Sequence, residues 1–456
     1  MNSRNNKMEL LVNAPISKAL LAMGIPTMLG MMVNAIYNLV DAYFVGGLGT
    51  SQMGAISVVY PLGQVVVGLG LLFGNGSASY LSRLLGNREQ EQADRVASTA
   101  LYSSVAVGAV LIIFSMIFLR PILRLLGATD SIMPYAMTYA GIYVVSCIFN
   151  VFNVTMNNIV TSEGAAKTTM FALMAGAVLN IGLDPVFIYT LDMGVAGAAI
   201  ATAISQIVST LIYLTFIFRK KSIYSFKMKN CTFTKEIMSE IFKIGIPTLV
   251  FQILTSLSIS LVNTQAGPYG DSVIAGMGAV TRIVSMGSLI VFGFIKGFQP
   301  IAGYSYGAKK FDRLHKAIRT SILWSTVFCV IYGLLLTIFS SRIIAQFTDG
   351  DLEMIRVGTQ SLRINGLSFL LFGFYTVYSS LFLALGKGLE GFVLGACRQG
   401  ICFVPVILIL PVFWGINGIL YVQPIADVLS AIITIFMALH LHKELVLAKQ
   451  RFITEK

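Results

Sequence analysis

Gly24-Ile25-Pro26-Thr27 returns as Gly245-Ile246-Pro247-Thr248, 221 positions later in the chain. The same offset carries Gly76 and Gly86 onto Gly297 and Gly307, and Gly194 and Gly197 onto Gly415 and Gly418. Glycine allows sharp bends and close backbone approach, while proline fixes φ and removes a donor, so recurrence in one register marks the same backbone geometry made twice. A period near half of the 456 residues far exceeds the roughly 20 to 50 residues of a solenoid repeat, which leaves duplication of a whole domain. In a membrane protein that pattern points to a transporter.

Composition says that this is a membrane protein. Hydrophobic residues make up 56% of the chain and charged residues 11%, where a globular protein carries roughly 25% charged; the mean hydropathy is +0.80. Apolar runs long enough to cross a hydrocarbon core, about 20 residues each, recur twelve times, six per half. Those of the first half read as 17–45, 53–81, 96–118, 133–158, 168–190 and 195–218, and those of the second as 241–264, 276–303, 317–340, 361–384, 392–413 and 417–440. The period-2 alternation of a membrane β-barrel is absent, so the spans are helices. The first run is too long for the roughly 7 to 15 residues of a signal h-region, and no cleavage is expected.

The fold expected is therefore an all-α integral membrane protein with twelve transmembrane helices in two six-helix lobes. An even helix count makes both copies enter from the same side, so the lobes are parallel repeats. Residues 1–218 form the N-terminal lobe (helices 1–6), 219–240 a basic cytoplasmic linker, and 241–456 the C-terminal lobe (helices 7–12). The formal net charge of +12 follows topology. With even-numbered loops inside, most of the 32 Lys and Arg residues fall on the inner face and five outside, while Arg282 and Lys296 sit within or at the ends of spans. This bias places both termini in the cytoplasm, with contact to anionic lipid, and argues against a nucleic-acid partner. The five cysteines show no CxxC spacing and read as small core residues rather than metal ligands or a disulfide framework.

An acid deep in a membrane span costs several kcal/mol and is a functional candidate by default. Asp41 lies toward the outer end of helix 1 and Asp184 toward the outer end of helix 5. Tyr37 and Asp41 are four apart, as are Asn180 and Asp184, so each pair shares a helical face. Two carboxylates, an amide oxygen and nearby hydroxyls suit a small hard cation or a shared proton. One period on, Val262 and Pro405 stand where the acids would be, so ion chemistry is expected in the first lobe alone. Lys296 is read as a cavity or snorkelling cation and Glu163 as a secondary proton site or a solvated loop acid; Asp427 and Arg398 are further charges within apolar runs. Gly303-Tyr304-Ser305-Tyr306-Gly307 matches GxSxG but sits at the inner end of a membrane helix, without the strand-turn-helix context of a nucleophile elbow. With no HExxH and no P-loop in the chain, neither an enzyme nor ATP-driven transport is expected.

The Gly-Ile-Pro start of each repeat, the Tyr37 to Asp41 and Asn180 to Asp184 stretches, the Gly194-Val195-Ala196-Gly197-Ala198-Ala199 stretch, and Gln299-Pro300-Ile301 with Gly303-Tyr304 resemble the multidrug and toxic compound extrusion (MATE) family along essentially the whole chain. The resemblance implies secondary active efflux of organic cations and amphipathic compounds in exchange for Na+ or H+, by alternating access, with no cofactor and with a monomer sufficing. It places the cation site on Asp41, Asn180, Asp184 and Thr202, with Tyr37, Tyr139 and Asn157 as hydrogen-bonding neighbours and a helix 1 bend at Pro26. The absence of acids from helices 7 and 10 resembles the branch whose ion chemistry lies in the N-terminal lobe. A bacterial inner membrane fits the short loops. The alternative is a flippase for lipid-linked sugars or other lipids, which a lane of central cations would favour; only Lys296, Arg282 and Arg398 are candidates for one.

Overall fold

Lipid offers no partner for backbone N–H and C=O groups, so each apolar run must close its hydrogen bonds within itself as a helix. The computed structural model describes residues 9–48, 50–126, 128–347 and 351–454, so the first eight and last two residues of the expected lobes lie outside it. Twelve of its helices are long and apolar enough to cross a membrane. They run α1 (Ile16–Gly46), α2 (Thr50–Asn87), α3 (Gln90–Ile117), α4 (Met133–Ser162), α5 (Ala166–Thr190), α6 (Gly194–Phe218), α7 (Lys235–Ala266), α8 (Asp271–Gly307), α9 (Phe311–Ala345), α10 (Leu352–Ala384), α11 (Gly388–Trp414) and α12 (Ile416–Thr454). No strand occurs among the described residues.

Each expected span falls within one of these helices to within a residue. Most helices run longer, because turns continue into polar sequence beyond the apolar core. The clearest shift is at α7, which starts at Lys235 inside the stretch expected as linker. Thr234 causes it: its hydroxyl oxygen accepts the Ile237 N–H at 3.3 Å, and Glu236 lies in the positive first turn. Pro185 supplies no N–H, and α5 ends in a π turn over Val186–Thr190; α11 carries another over Cys397–Ile401.

The helices form two six-helix lobes, and the repeated glycines show why their positions recur. Gly194 and Gly415 open α6 and α12 with φ of +53° and +54°, a left-handed conformation that costs glycine nothing. Gly86 and Gly307 are repeat mates that meet each other. A Cβ on Gly86 would lie 2.4 Å from the Tyr304 carbonyl oxygen, and one on Gly307 would lie 2.2 Å from the Arg83 carbonyl oxygen. Arg83 and Tyr304 are themselves 221 residues apart, so α2 and α8 cross on the axis relating the lobes.

Around that crossing α1 packs against α8 and α2 against α7. Asn75 Nδ2 donates to Thr248 Oγ1 at 3.0 Å, Arg83 pairs with Glu240 at 2.6 Å, and Gln252 donates to Gln64. These contacts run up from the end of the bundle that carries both termini, the terminal end. One turn beyond Gln64, Tyr60 is 62% exposed, and two turns beyond Gln252, Ser260 is exposed. The lobes touch at the terminal end and diverge toward the other.

Candidate functional site

α1 and α5 pack along each other closely enough that a Cβ on Gly30 would sit 3.0 Å from Leu173 Cδ1, and α5 lies so near α6 that a Cβ on Gly176 would sit 2.4 Å from Ser209 Oγ. This packing brings Tyr37 and Asp41 of α1 toward Asn180 and Asp184 of α5. Asp184 is fully buried, Asn180 is 1% exposed, and Thr202 of α6 is buried. Asp184 lies within the field of Asp41, and Tyr37 and Tyr139 lie within the field of both. Five expected site residues, Tyr37, Asp41, Tyr139, Asn180 and Asp184, thus fall in one region, away from the terminal end.

Hydrogen bonding within the cluster is incomplete. Asn180 Nδ2 donates to Asp184 Oδ1 at 3.3 Å. Asp41 Oδ1, Asn180 Oδ1 and Asp184 Oδ2 are buried acceptors with no hydrogen-bond partner. Buried polar atoms are nearly always satisfied, and each left unpaired costs roughly 1 to 3 kcal/mol. Three oxygens in excess of donors form a set that a hard cation or a proton satisfies. No group of three or more His, Cys, Asp or Glu able to hold a metal occurs among the described residues.

Asn157 departs from expectation. It lies 18 positions along α4 from Tyr139, about 27 Å at 1.5 Å per residue, so the structure does not bring it beside the carboxylates. It sits toward the terminal end, where its Nδ2 donates to Tyr213 Oη at 3.1 Å and its Oδ1 accepts from Lys296 Nζ. Lys296 belongs to α8 of the second lobe, so this contact crosses the lobe interface. Beside it lies a small cavity lined by Ser79, Ser82, Asn158, Thr161 and Gln299. Pro26 sits inside a continuous α1, against the second lobe: Thr27 Oγ1 donates to the Gly293 carbonyl at 2.6 Å.

Glu163 is not a solvated loop acid but fully buried. It accepts the Ser222 hydroxyl at 2.7 Å and the Ile223 N–H at 2.6 Å, pinning the segment between the lobes. Tyr224 of that segment shares a 3.1 Å hydrogen bond with Ser162, and burial holds its phenol well above the usual range.

Two arrangements escaped the sequence reading. In the second lobe, Arg398 Nε donates to Asp427 Oδ1 at 2.8 Å, Ser368 and Gln423 also donate to Asp427, and the guanidinium lies 4.7 Å over the Phe372 ring. Gln423 is the repeat mate of Thr202, and Arg398 the mate of Ala177, one turn from Asn180. The second lobe therefore carries a guanidinium of its own close to where the first has its cation-seeking oxygens. In the first lobe, Tyr139, Tyr143, Ser146, Asn150, Asn153 and Asn157 follow one another at alternating four and three residues, one polar face of α4. That spacing was legible in the sequence.

Comparison with known proteins bears on this geometry directly. The MatE family profile matches residues 26–186 and again 247–409, the second match starting 221 residues after the first. The multidrug export protein MepA of Staphylococcus aureus strain MSSA476 is 30% identical over 420 residues, covering 92% of each chain. MepA of Staphylococcus saprophyticus subsp. saprophyticus is 29% identical over 435 residues, 95% of this chain and 96% of the relative. A solved outward-facing conformation of a multidrug resistance MATE family transporter of the MOP superfamily superposes with TM-score 0.90 at 26% identity, covering 97% of this chain and 98% of that one. A MATE structure in the bent conformation gives TM-score 0.91 at the same identity, covering 97% and 99%. Fold and site define a two-lobed, multi-pass membrane transporter rather than an enzyme. The chain belongs to the MatE family of multidrug efflux transporters.

Proposed function

We propose that this protein exports organic cations and other amphipathic small molecules in exchange for Na+ or H+, by alternating access. The observation that carries the coupling is the trio of buried, unpartnered oxygens on Asp41, Asn180 and Asp184. Thr202, Tyr37 and Tyr139 complete that first-lobe site in this reading, which corresponds to the branch with its ion chemistry in the N-terminal lobe. The second lobe supports the asymmetry, since its buried acid is already neutralised by Arg398.

The charge bias makes the terminal end cytoplasmic, in a plasma membrane, with both termini inside. The lobes, 1–218 and 241–456, then move against each other about the linker, and the described state, closed at the terminal end, is outward-facing. A cation or proton entering the first-lobe site neutralises the carboxylates and changes the preferred packing of α1, which moves about Pro26 where it leans on Gly293. The ion drives the cycle only by its different affinity for the two states. Glu163, tied to the linker, holds this segment rather than serving as a second proton site. A lipid flippase is less favoured, because Lys296 and Arg398 are committed to Asn157 and Asp427.

The test is reconstitution in vesicles. Efflux of a fluorescent cationic dye is followed under a sodium gradient and then a proton gradient, for wild type, Asp41→Asn and Asp184→Asn. Dye movement driven by one gradient and lost in both variants supports the antiporter and names its ion; no movement under either gradient in folded protein overturns it.

A further inference from the structure

The polar face of α4 meets a second row on α6. Asn153 Nδ2 donates to Gln206 Oε1 at 2.8 Å, Thr210 Oγ1 donates to Asn153 Oδ1 at 3.0 Å, and Asn157 Nδ2 reaches Tyr213. Between these and the carboxylates lie Asn150 Oδ1 and the 5% exposed Ser205, whose Oγ is also unpartnered. A file of amides and hydroxyls thus runs inside the first lobe from Asp184 toward the terminal end. It stops at the Lys296 ammonium, which enters from the other lobe onto Asn157. Beyond Lys296 polar groups resume, in the cavity of Ser79, Ser82, Asn158 and Thr161 and then at Ser162 and Tyr224. A hydrogen-bonding file joining a cation site to the far face is a leak unless something interrupts it. A fixed positive charge is an effective interruption for small cations, as in other selective pores.

We propose that Lys296 is an electrostatic plug: its ammonium blocks passage of Na+ or H+ from the Asp41–Asp184 site through the interior of the first lobe while the lobes are closed at the terminal end. The inference rests on the first-lobe coupling site proposed above. Lys296 acts here by position and charge, and substrate need not touch it. When the lobes part at the terminal end, the contact with Asn157 is broken and the open cleft replaces the file as the ion's path.

The test uses the full chain in sealed proteoliposomes without any drug, with a trapped sodium-sensitive or pH-sensitive dye reporting decay of an imposed gradient. Wild type and Lys296→Arg hold the gradient, and Lys296→Met dissipates one of the two roughly tenfold faster or more. Adding Asp184→Asn to Lys296→Met restores the seal, because the leak starts at the carboxylates. Lys296→Met vesicles as tight as wild type overturn the proposal, as does Lys296→Arg leaking like Lys296→Met. A double variant that still leaks also overturns it, by showing a loosened interface instead of a route through the site. Failure of the antiport reading shows separately, as wild type that moves no dye under either gradient.

Discussion

Asn180 and Asp184 sit one turn apart on α5 and share a single 3.3 Å hydrogen bond, which leaves Asn180 Oδ1 and Asp184 Oδ2 buried without donors. One amide cannot satisfy both itself and a carboxylate at this spacing. Asp41 Oδ1 adds a third such oxygen from α1, so the site is built short of positive charge.

Replacing either carboxylate removes charge while keeping shape. Asp184→Asn and Asp41→Asn are expected to fold normally and to lose gradient-driven dye efflux by roughly tenfold or more, about 1.4 kcal/mol or greater in coupling. Initial rates in vesicles, normalised to protein inserted, check this; full activity in either variant removes that residue from the site.

Gly307→Ala places a methyl where only 2.2 Å separates it from the Arg83 carbonyl oxygen. Backbone cannot swing aside as a side chain can, so the α2–α8 crossing must open. Thermal unfolding in detergent is expected to show a loss of about 1 to 3 kcal/mol, with a comparable loss for the repeat mate Gly86→Ala. An unchanged melting temperature would mean that the lobes do not close so tightly at this point.

The Arg398–Asp427 pair is 8% and 2% exposed at its side chains. Arg398→Met strands a buried carboxylate and is expected to cost about 3 to 5 kcal/mol, whereas Arg398→Met with Asp427→Leu recovers much of that. Melting curves of the two singles and the double form the cycle, and strictly additive losses would show that the groups do not interact.

Glu163→Ala leaves the Ile223 N–H without this acceptor, a cost of about 1 to 3 kcal/mol local to the linker. Limited trypsin digestion is expected to cut faster at Lys220, Lys221 and Lys227, and Glu163→Gln, which retains an acceptor oxygen, to lie between the two. Equal cutting in all three would sink the pinning role.

What could be read along the chain was whatever depends on position along one helix. The repeat glycines fall at the turns and at the lobe crossing that their recurrence implied. Asp41 and Asp184 were visible as acids in apolar runs, and each stands a turn from its polar companion. Lateral partners were not legible. Nothing in the apolar run around Arg398 says that Asp427 on the next helix will face it, nor that Glu163 will be sealed by a linker 60 residues on. Counting 18 residues from Tyr139 puts Asn157 several turns away along α4, but nothing in the sequence says that Lys296 of the other lobe will reach it.

Arg398 and Asp427 give the second lobe no net charge at its buried centre. A membrane voltage does work only on net charge carried across the field, about 2.3 kcal/mol per elementary charge for each 100 mV. In the proposed cycle the Arg398–Asp427 pair is then electrically almost silent, and the voltage dependence of a turnover falls on Lys296 of the second lobe and on the first-lobe carboxylates, which are charged or neutral according to what they hold. Electrical recording would register the carboxylates and Lys296 and scarcely notice the buried pair of the second lobe.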